Sequence, residues 1–229
     1  MRILGVSGSP RPGRTTDRVV QEVLAGAGGR TEFVSLAGKK IAPCRACLAC
    51  VKDNRCRIKD DMVPLRRQLL AADALVIGAP NYFSNINALT HSFLERLCQF
   101  RHRDCRELAN KYVVVVGVGG LEPHVPVAVI SKMLPYFQMQ QVGSITAQGA
   151  ASCFSCGFGE SCRAGAVQAL YGPDVKITDK LIPDPTKQPE MLFSAHALGR
   201  KLAGLVQDKE SLLRQAVEMK IQNRQKEVS

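Results

Sequence analysis

The architecture is set by one segment, Arg2-Ile-Leu-Gly-Val-Ser-Gly-Ser-Pro-Arg-Pro-Gly-Arg-Thr-Thr16. Its first five residues form a short apolar run of the kind found in buried strands. A loop rich in glycine, serine and proline follows, and an amphipathic pattern over residues 15–27 then places Val19, Val20 and Val23 on one face of a helix. Strand, loop and helix in this order present backbone N–H groups at a helix N-terminus, which is a favourable site for a phosphate group.

The rest of the chain repeats this alternation of strand and helix. Apolar runs predict four more strands, at residues 31–36, 74–79, 112–118 and 143–147. Helical patterns lie between and after them, at residues 60–72, 86–100, 125–138 and 191–205. Continuous apolar strands that alternate with amphipathic helices are typical of a parallel sheet covered on both faces. We therefore predict an α/β fold, a doubly wound parallel five-stranded sheet, in one domain over residues 1–207.

Two additions to this domain are predicted. The first is a Cys-rich loop insertion over residues 39–59, and the second is a C-terminal helical extension over residues 208–229. The extension is charged and carries Leu213, Val217 and Ile221 at helical spacing. We interpret this apolar stripe as a contact with the body of the protein or with another subunit.

The composition limits the class of protein. The chain has 229 residues, a net charge of +11 and nine Cys. No run approaches the roughly 18 apolar residues of a membrane span, and the N-terminal residues lack a signal-peptide layout, so we expect a cytoplasmic protein without membrane contact. In a reducing compartment this cysteine content favours metal or redox roles over a disulfide framework. The basic charge suits an anionic cofactor or an acidic protein partner. Because the basic residues are scattered, we do not expect nucleic acid as a partner.

The first loop differs from the nucleotide P-loop that it resembles. Arg14 stands where a P-loop needs Lys, and Pro10 and Pro12 each remove a backbone N–H that would cradle phosphates. The chemistry that remains is that of a monophosphate site, and the alternative is an ordinary turn before a capped helix. The candidate phosphate ligands are Ser7, Ser9, Arg11, Arg14, Thr15 and Thr16.

Two more loops follow the third and fourth predicted strands. They are Pro80-Asn-Tyr-Phe-Ser-Asn85 and Gly117-Val-Gly-Gly120. In a doubly wound sheet, loops at the carboxyl ends of the strands form the ligand crevice. An aromatic wall that faces a glycine-rich wall suits a flat heterocycle such as a flavin. The candidate residues are Pro80, Asn81, Tyr82, Phe83, Ser84, Asn85, Gly117, Gly119 and Gly120.

The Cys-rich loop carries four thiols within 13 residues. Cys44, Cys47, Cys50 and Cys56 follow the spacing C-x2-C-x2-C-x5-C. Four thiolates on a compact loop are the ligands that a [4Fe–4S] cluster requires. Without metal, the same thiols would be a loose redox pair or packed loop residues.

A second cysteine set repeats part of this spacing. Cys153, Cys156 and Cys162 lie in a glycine-rich loop and offer three thiols. A metal site would need a fourth ligand, which Cys98 or Cys105 could supply if the fold brought one of them near. We favour packed or redox-sensitive thiols at this place.

The three strand-end loops, in this order over roughly residues 1–150, resemble the NADPH-dependent FMN reductase family of flavodoxin-like proteins. The thiol loop followed by Asp60-Asp-Met62 is similar to the iron–sulfur flavoprotein branch of that family. The resemblance implies that the first loop binds the FMN phosphate and that the other two flank the isoalloxazine ring. It further implies a [4Fe–4S] cluster beside FMN, with one-electron entry from a ferredoxin-like acidic carrier and two-electron storage on FMN.

We accordingly expect an FMN-dependent oxidoreductase that passes electrons between the cluster and FMN to a small-molecule acceptor. No catalytic side chain is expected, because the flavin carries the difficult chemistry. We also expect a homo-oligomer, either a dimer or a tetramer. Two alternatives stay open: a metal-free NAD(P)H:FMN or quinone reductase with NAD(P)H as donor, and a non-catalytic thiol or metal redox sensor.

Overall fold

A five-stranded parallel sheet forms the centre of the molecule. The computed structural model describes residues 1–104 and 106–227, with side chains through residue 222. The strands are β1 (Arg2–Ser7), β2 (Arg30–Ser35), β3 (Ala74–Pro80), β4 (Tyr112–Gly119) and β5 (Gln140–Gln148). Their order in the sheet is β2-β1-β3-β4-β5, and every neighbouring pair is parallel. This is the flavodoxin-like order, in which the chain reverses direction across the sheet between β1 and β3. The predicted fold class is confirmed.

The helices cover both faces of the sheet. They are α1 (Thr15–Ala27), α2 (Met62–Ala71), α3 (Ala88–Arg96), α4 (His124–Met133), α5 (Ala166–Tyr171) and α6 (Pro189–Glu227). Apolar residues of α1 and α6 form the core on one face, and those of α2, α3 and α4 form the core on the other. The helix predicted over residues 125–138 is α4 followed by a 3-10 turn.

The two helical segments predicted near the C-terminus are one continuous element. α6 runs from Pro189 to Glu227 without a break at residues 207 and 208. Leu213, Val217 and Ile221 are each more than half exposed, so the apolar stripe does not pack against the body of the chain. In the described part of the protein, no helix has the length and apolar character needed to cross a bilayer.

α1 and α6 cross at two glycines. A Cβ on Gly26 would lie 2.1 Å from the carbonyl oxygen of His196, and a Cβ on Gly199 would lie 2.0 Å from that of Val23. Both obstacles are backbone atoms of a packed helix and cannot rotate away. The close approach of the two helices therefore requires glycine at both positions.

We predict that Gly26→Ala lowers the free energy of unfolding by about 2–3 kcal/mol through overpacking of this crossing. The control is Gly204→Ala in α6, where a Cβ would meet nothing within 4 Å. That change is expected to stabilise the protein by up to about 1 kcal/mol, because alanine is the better helix former. Urea denaturation measures both variants, and equal stability of the two would contradict the account.

Candidate functional site

Four loops meet at the carboxyl ends of β1, β3, β4 and β5. Gly8 N–H donates to the Gly78 carbonyl at 2.8 Å, and the side chain of Asn87 donates to the Gly8 carbonyl at the same distance. Asn81 N–H bonds to the Val118 carbonyl at 2.6 Å. These bonds tie the first loop to the second, and the second to the third. The fold therefore brings the three predicted ligand loops together.

The loop after β5 completes this crevice. Gly149 N–H donates to the Gly119 carbonyl at 3.0 Å, and Arg11 Nη2 donates to the Ala150 carbonyl at 2.9 Å. The Arg11 side chain thus spans from the first loop to the last. Residues 149–151 are not among the predicted site residues, because nothing in their composition marks them as more than a strand end.

The first loop ends at a helix N-terminus that lacks a side-chain cap. Arg14 occupies the N-cap position, and its side chain does not cap the first turn of α1, which also contains the buried carboxylate of Asp17. The N–H groups of that turn have no partner inside the helix, and the helix dipole makes their end positive. Thr16 is buried beneath them and Thr15 is half-buried. These donors fit a phosphate group in a way that a capped helix would not.

Internal hydrogen bonds hold the shape of the first loop. The Asp17 carboxylate accepts a bond from Gly13 N–H at 2.8 Å, and Gly13 has a left-handed φ of 70°. Ser9 Oγ accepts from Arg11 N–H at 3.2 Å and donates to the Arg11 carbonyl at 3.1 Å. Ser7 and Ser9 are both buried. Of the six predicted phosphate ligands, Ser7 and Ser9 are therefore buried by the folded loop, whereas Arg11 and Arg14 are exposed to solvent.

The second loop is a tight turn with an aromatic tip. Tyr82 and Asn85 exchange backbone hydrogen bonds of 2.7 and 3.1 Å. Phe83 and Ser84 both have left-handed φ angles, of 52° and 53°, and the Phe83 side chain is fully exposed. The turn therefore holds an exposed aromatic ring in a backbone conformation that residues other than glycine rarely adopt. Pro80 is the last residue of β3 and is buried.

The second and third loops touch each other at their bases. The Asn81 side chain donates to the Leu121 carbonyl at 2.8 Å, and Ser84 Oγ donates to Glu122 at 2.6 Å. A Cβ on Gly117 would lie 2.2 Å from the Pro123 carbonyl, and one on Gly119 would lie 2.3 Å from the Leu121 carbonyl. These two glycines therefore allow the turn before α4 to pack closely on β4. Of the three glycines predicted in the third loop, Gly120 is the half-buried one, and a Cβ on it would lie 3.2 Å from the Cβ of Ala151.

The thiol loop lies against the C-terminal end of α3 and the turn that follows it. Cys44 N–H donates to Glu95 at 3.1 Å, and Cys56 N–H donates to the side-chain oxygen of Gln99 at 3.2 Å. Ala46 and Leu48, on either side of the exposed Cys47, both have left-handed φ angles. Non-glycine residues rarely adopt this conformation, so the loop is strained around Cys47.

Two residues outside the predicted motif, Cys98 and His102, lie beside the thiols of this loop. Cys50 Sγ lies 3.2 Å from His102 Nε2. Burial raises the pKa of the Cys50 thiol, and the charges of Cys98, Cys56 and Cys44 raise it further. Burial likewise raises the pKa of Cys98, with a further contribution from Cys44. Cys98, a candidate fourth ligand for the second cysteine set, therefore lies beside the thiol loop instead.

The thiols offer the soft donors that an iron–sulfur cluster requires, and three of the four motif cysteines lie near one another. Among the described residues, however, no group of three or more His, Cys, Asp or Glu side chains is arranged to hold a metal ion. The donor chemistry therefore fits a cluster, while the loop is not closed into a coordination shell.

The second cysteine set lies in the loop between β5 and α5. Ala166 N–H donates to Cys153 Sγ at 3.3 Å, and Phe158 N–H donates to Cys156 Sγ at 3.4 Å. Cys162 packs against Gly165, where a Cβ would lie 3.4 Å from its sulfur. Cys105, the other candidate fourth ligand, lies outside the described residues.

A buried ion pair fixes the thiol loop to α3. Arg96 and Asp60 share hydrogen bonds of 2.6 and 3.1 Å, and the Arg96 side chain is 1% exposed. Arg96 also donates to the Ala42 carbonyl at 2.9 Å, and Asp60 accepts from Ala42 N–H at 3.0 Å. Burial alone would raise the pKa of Asp60, but the hydrogen bonds from Arg96, Ala42 and Met62 hold it below its ordinary value.

We predict that Asp60→Ala destabilises the protein by about 3–5 kcal/mol, because it leaves Arg96 buried and unpaired. The control is Asp53→Ala, which breaks a surface pair with Arg57 that solvent and salt screen, so its effect on stability should be much smaller. Since the pKa of Asp60 is lowered by folding, its contribution is complete at neutral pH and is lost as the pH falls below about 4. Urea denaturation at pH 7 and in acid measures both effects, and a cost at pH 7 no larger than the control's would contradict the account.

Comparison with known proteins agrees with the fold and the loops. The chain is 36% identical over 122 residues to an iron-sulfur flavoprotein of Methanocaldococcus jannaschii, over 52% of this chain and 62% of that protein. It is 34% identical over 123 residues to an iron-sulfur flavoprotein of Methanosarcina thermophila, over 52% and 64%. The chain thus spans less than two thirds of these relatives' length.

Similarity to solved structures concerns the fold. The structure of a flavone reductase superposes with a TM-score of 0.59 at 19% identity, over 92% of this chain and 64% of that one. The sequence profile of the NADPH-dependent FMN reductase family matches residues 1–151, which contain all three ligand loops and the thiol loop. The chain belongs to the NADPH-dependent FMN reductase family.

Proposed function

We propose that this chain is an FMN-dependent oxidoreductase that exchanges electrons between a [4Fe–4S] cluster and FMN. The observation that carries the flavin half is the uncapped N-terminus of α1 at the centre of a four-loop crevice. Its free N–H groups, with the hydroxyls of Thr15 and Thr16 and the charge of Arg11 or Arg14, would hold the FMN phosphate. Bound FMN supplies one- and two-electron transfer, which few side chains can perform.

The second and third loops would hold the flavin ring. Tyr82 and Phe83 offer exposed aromatic surface beside the crevice, and Gly120 leaves its backbone half exposed. Asn81 orients this wall through its bond to the Leu121 carbonyl. Side chains at these places position the ring and limit its contact with water. The family membership supports this assignment.

The thiol loop would hold the cluster through Cys44, Cys47, Cys50 and Cys56. A cluster on these thiolates supplies one-electron transfer at a potential set by nearby hydrogen bonds and charge. Arg96 is a buried cation beside Cys56, and the pKa of Arg96 is raised by its bond to Asp60 and by the Cys56 thiol despite its burial. The names of the two curated relatives support a cluster in this branch of the family.

α3 connects the two halves of the proposal. Its N-cap residue, Asn87, bonds to Gly8 of the first loop, which we call the phosphate loop. Glu95, near the other end of the helix, bonds to Cys44 of the thiol loop. Eight residues of helix separate them, which is about 12 Å along the axis. The two loops are thus anchored on one helix of the same chain, which supports electron exchange between the two proposed sites. A ferredoxin-like acidic carrier as donor, a small-molecule acceptor and assembly into a dimer or tetramer belong to the same proposal.

The second candidate is a metal-free reductase driven by NAD(P)H. The observation that favours it is the open arrangement of the thiols, which form no metal site among the described residues. Protein prepared without oxygen separates the two candidates. The proposal predicts rapid loss of flavin colour with reduced ferredoxin and slow loss with NADPH, whereas the opposite preference would establish the second candidate.

A further inference from the structure

A basic cleft lies beside the thiol loop, away from the residues that form the flavin crevice. Its volume is about 360 Å3, and α2 and the thiol loop form most of its wall. Five arginines line it: Arg55, Arg57, Arg66, Arg67 and Arg96. Cys56 also lies in this wall. No residue of the phosphate loop contributes to it, so the cleft is a separate feature of the molecule.

The arginines outnumber their acidic partners. Arg57 pairs with Asp53 at 2.9 Å, and Arg66 pairs with Glu107 at 2.7 Å. Arg96 is neutralised by Asp60, as described above. Within the part of the chain that the structure describes, neither Arg55 nor Arg67 has an ion pair, and both are exposed. Neither guanidinium is therefore held in a direct ion pair, although Arg57 and, to a smaller extent, the charge of Arg55 lower the pKa of the Asp53 carboxyl.

The polar groups around the cleft are also incompletely satisfied. Four buried side-chain atoms of the described residues have no hydrogen-bond partner. One of them, Arg96 Nε, belongs to a residue that lines the cleft, and two others, Asn54 Oδ1 and Glu107 Oε2, belong to residues that bond to Arg66 in its wall. Arg66 connects the latter two residues, since its side chain donates to the Asn54 carbonyl and to Glu107. The two terminal nitrogens of Arg96 are engaged with Asp60, its guanidinium also interacts with the weakly accepting Cys56 thiol, and its Nε has no hydrogen-bond partner. Buried polar atoms without partners mark a place where a further polar group belongs.

We propose that this cleft binds a small molecule that carries a carboxylate or phosphate group. The planar guanidinium fork matches both groups, and Arg is the usual residue for their recognition. The volume falls in the range of small-molecule sites, and Met62 and Val63 provide an apolar part of the wall. The bound molecule would contact Cys56, so the site would bring an anionic compound to the thiol loop rather than to the flavin crevice. The site requires neither FMN nor a cluster.

The test is calorimetric titration of FMN-saturated protein with inorganic pyrophosphate and with citrate at low salt. The probes represent the two anion classes, and saturation with FMN keeps pyrophosphate from the phosphate loop. The double variant Arg55→Gln/Arg67→Gln removes the two unpaired charges of the cleft. The matched control, Arg30→Gln/Arg200→Gln, removes two exposed charges from β2 and α6.

The proposal predicts saturable binding of at least one probe, a loss of affinity of at least tenfold in the cleft variant, and less than a twofold change in the control. Equal loss in both variants would show general charge attraction and overturn it. So would the absence of binding of both probes to the unmodified protein. Both variants leave the phosphate loop unchanged, so a probe that bound there would bind equally to both, and the comparison of the two variants isolates the contribution of the cleft.

Discussion

The double variant Cys50→Ala/Cys56→Ala is expected to lose at least nine tenths of the iron and sulfide of protein prepared without oxygen, while its FMN content stays unchanged. These two thiols belong to the group that lies together at the end of α3. A [4Fe–4S] cluster needs one ligand for each iron, and the loss of two thiolates would leave two irons without a protein ligand. Iron, sulfide and flavin assays on the same preparation measure the effect.

The control for this prediction is Cys156→Ala/Cys162→Ala, which removes the same number of thiols from the loop after β5. It should retain its iron. If the control loses as much iron as the first variant, or if the first variant retains most of its iron, the assignment of the cluster to the thiol loop is wrong.

Thr15→Glu is expected to weaken FMN binding by at least 100-fold, which corresponds to about 2.7 kcal/mol. Thr15 is the first residue of α1, so the new carboxylate would lie where the phosphate is proposed to bind and would repel it. A negative charge at a helix N-terminus is favourable for the helix itself, so the fold should persist. Flavin fluorescence titration measures the affinity, and thermal unfolding checks the fold.

The matched control is Gln21→Glu, which adds the same charge to an exposed position of the same helix. Its affinity for FMN should stay within about threefold of the unmodified protein, since one exposed charge away from the loop is screened by solvent and salt. If the Thr15→Glu variant also bound FMN with an affinity within about threefold of the unmodified protein, the phosphate would not bind at the N-terminus of α1.

The sheet could be predicted from the sequence because its central strands, β1, β3 and β4, are buried on both faces. Four consecutive valines in β4 and the apolar run of β3 have no other common explanation at that length. The sequence predicts two helical segments where the structure has the single helix α6, because the polar second half of α6 lacks the apolar pattern of its first half. Gly204, near the division, does not end the helix, since nothing in the structure requires a turn there.

The candidate site could be predicted only where its residues are local in sequence. The phosphate loop is one such segment. Cys98 and His102 reach the thiol loop from 48 and 52 residues after Cys50, through the position of α3 in the fold. The spacing of four residues between Cys98 and His102 is the sequence signal that could have indicated their place beside the thiol loop. The roles of Gly117 and Gly119 in packing against the turn before α4 depend on the course of that turn, which no sequence motif specifies.

The most direct test of the account is one preparation of the protein, purified without oxygen and assayed for flavin, iron and acid-labile sulfide. The account predicts about one FMN, about four iron atoms and about four sulfides for each chain. Protein that holds FMN without iron would contradict the cluster half of the account. Protein that holds neither flavin nor sulfide, even after incubation with FMN, iron and sulfide, would contradict it entirely.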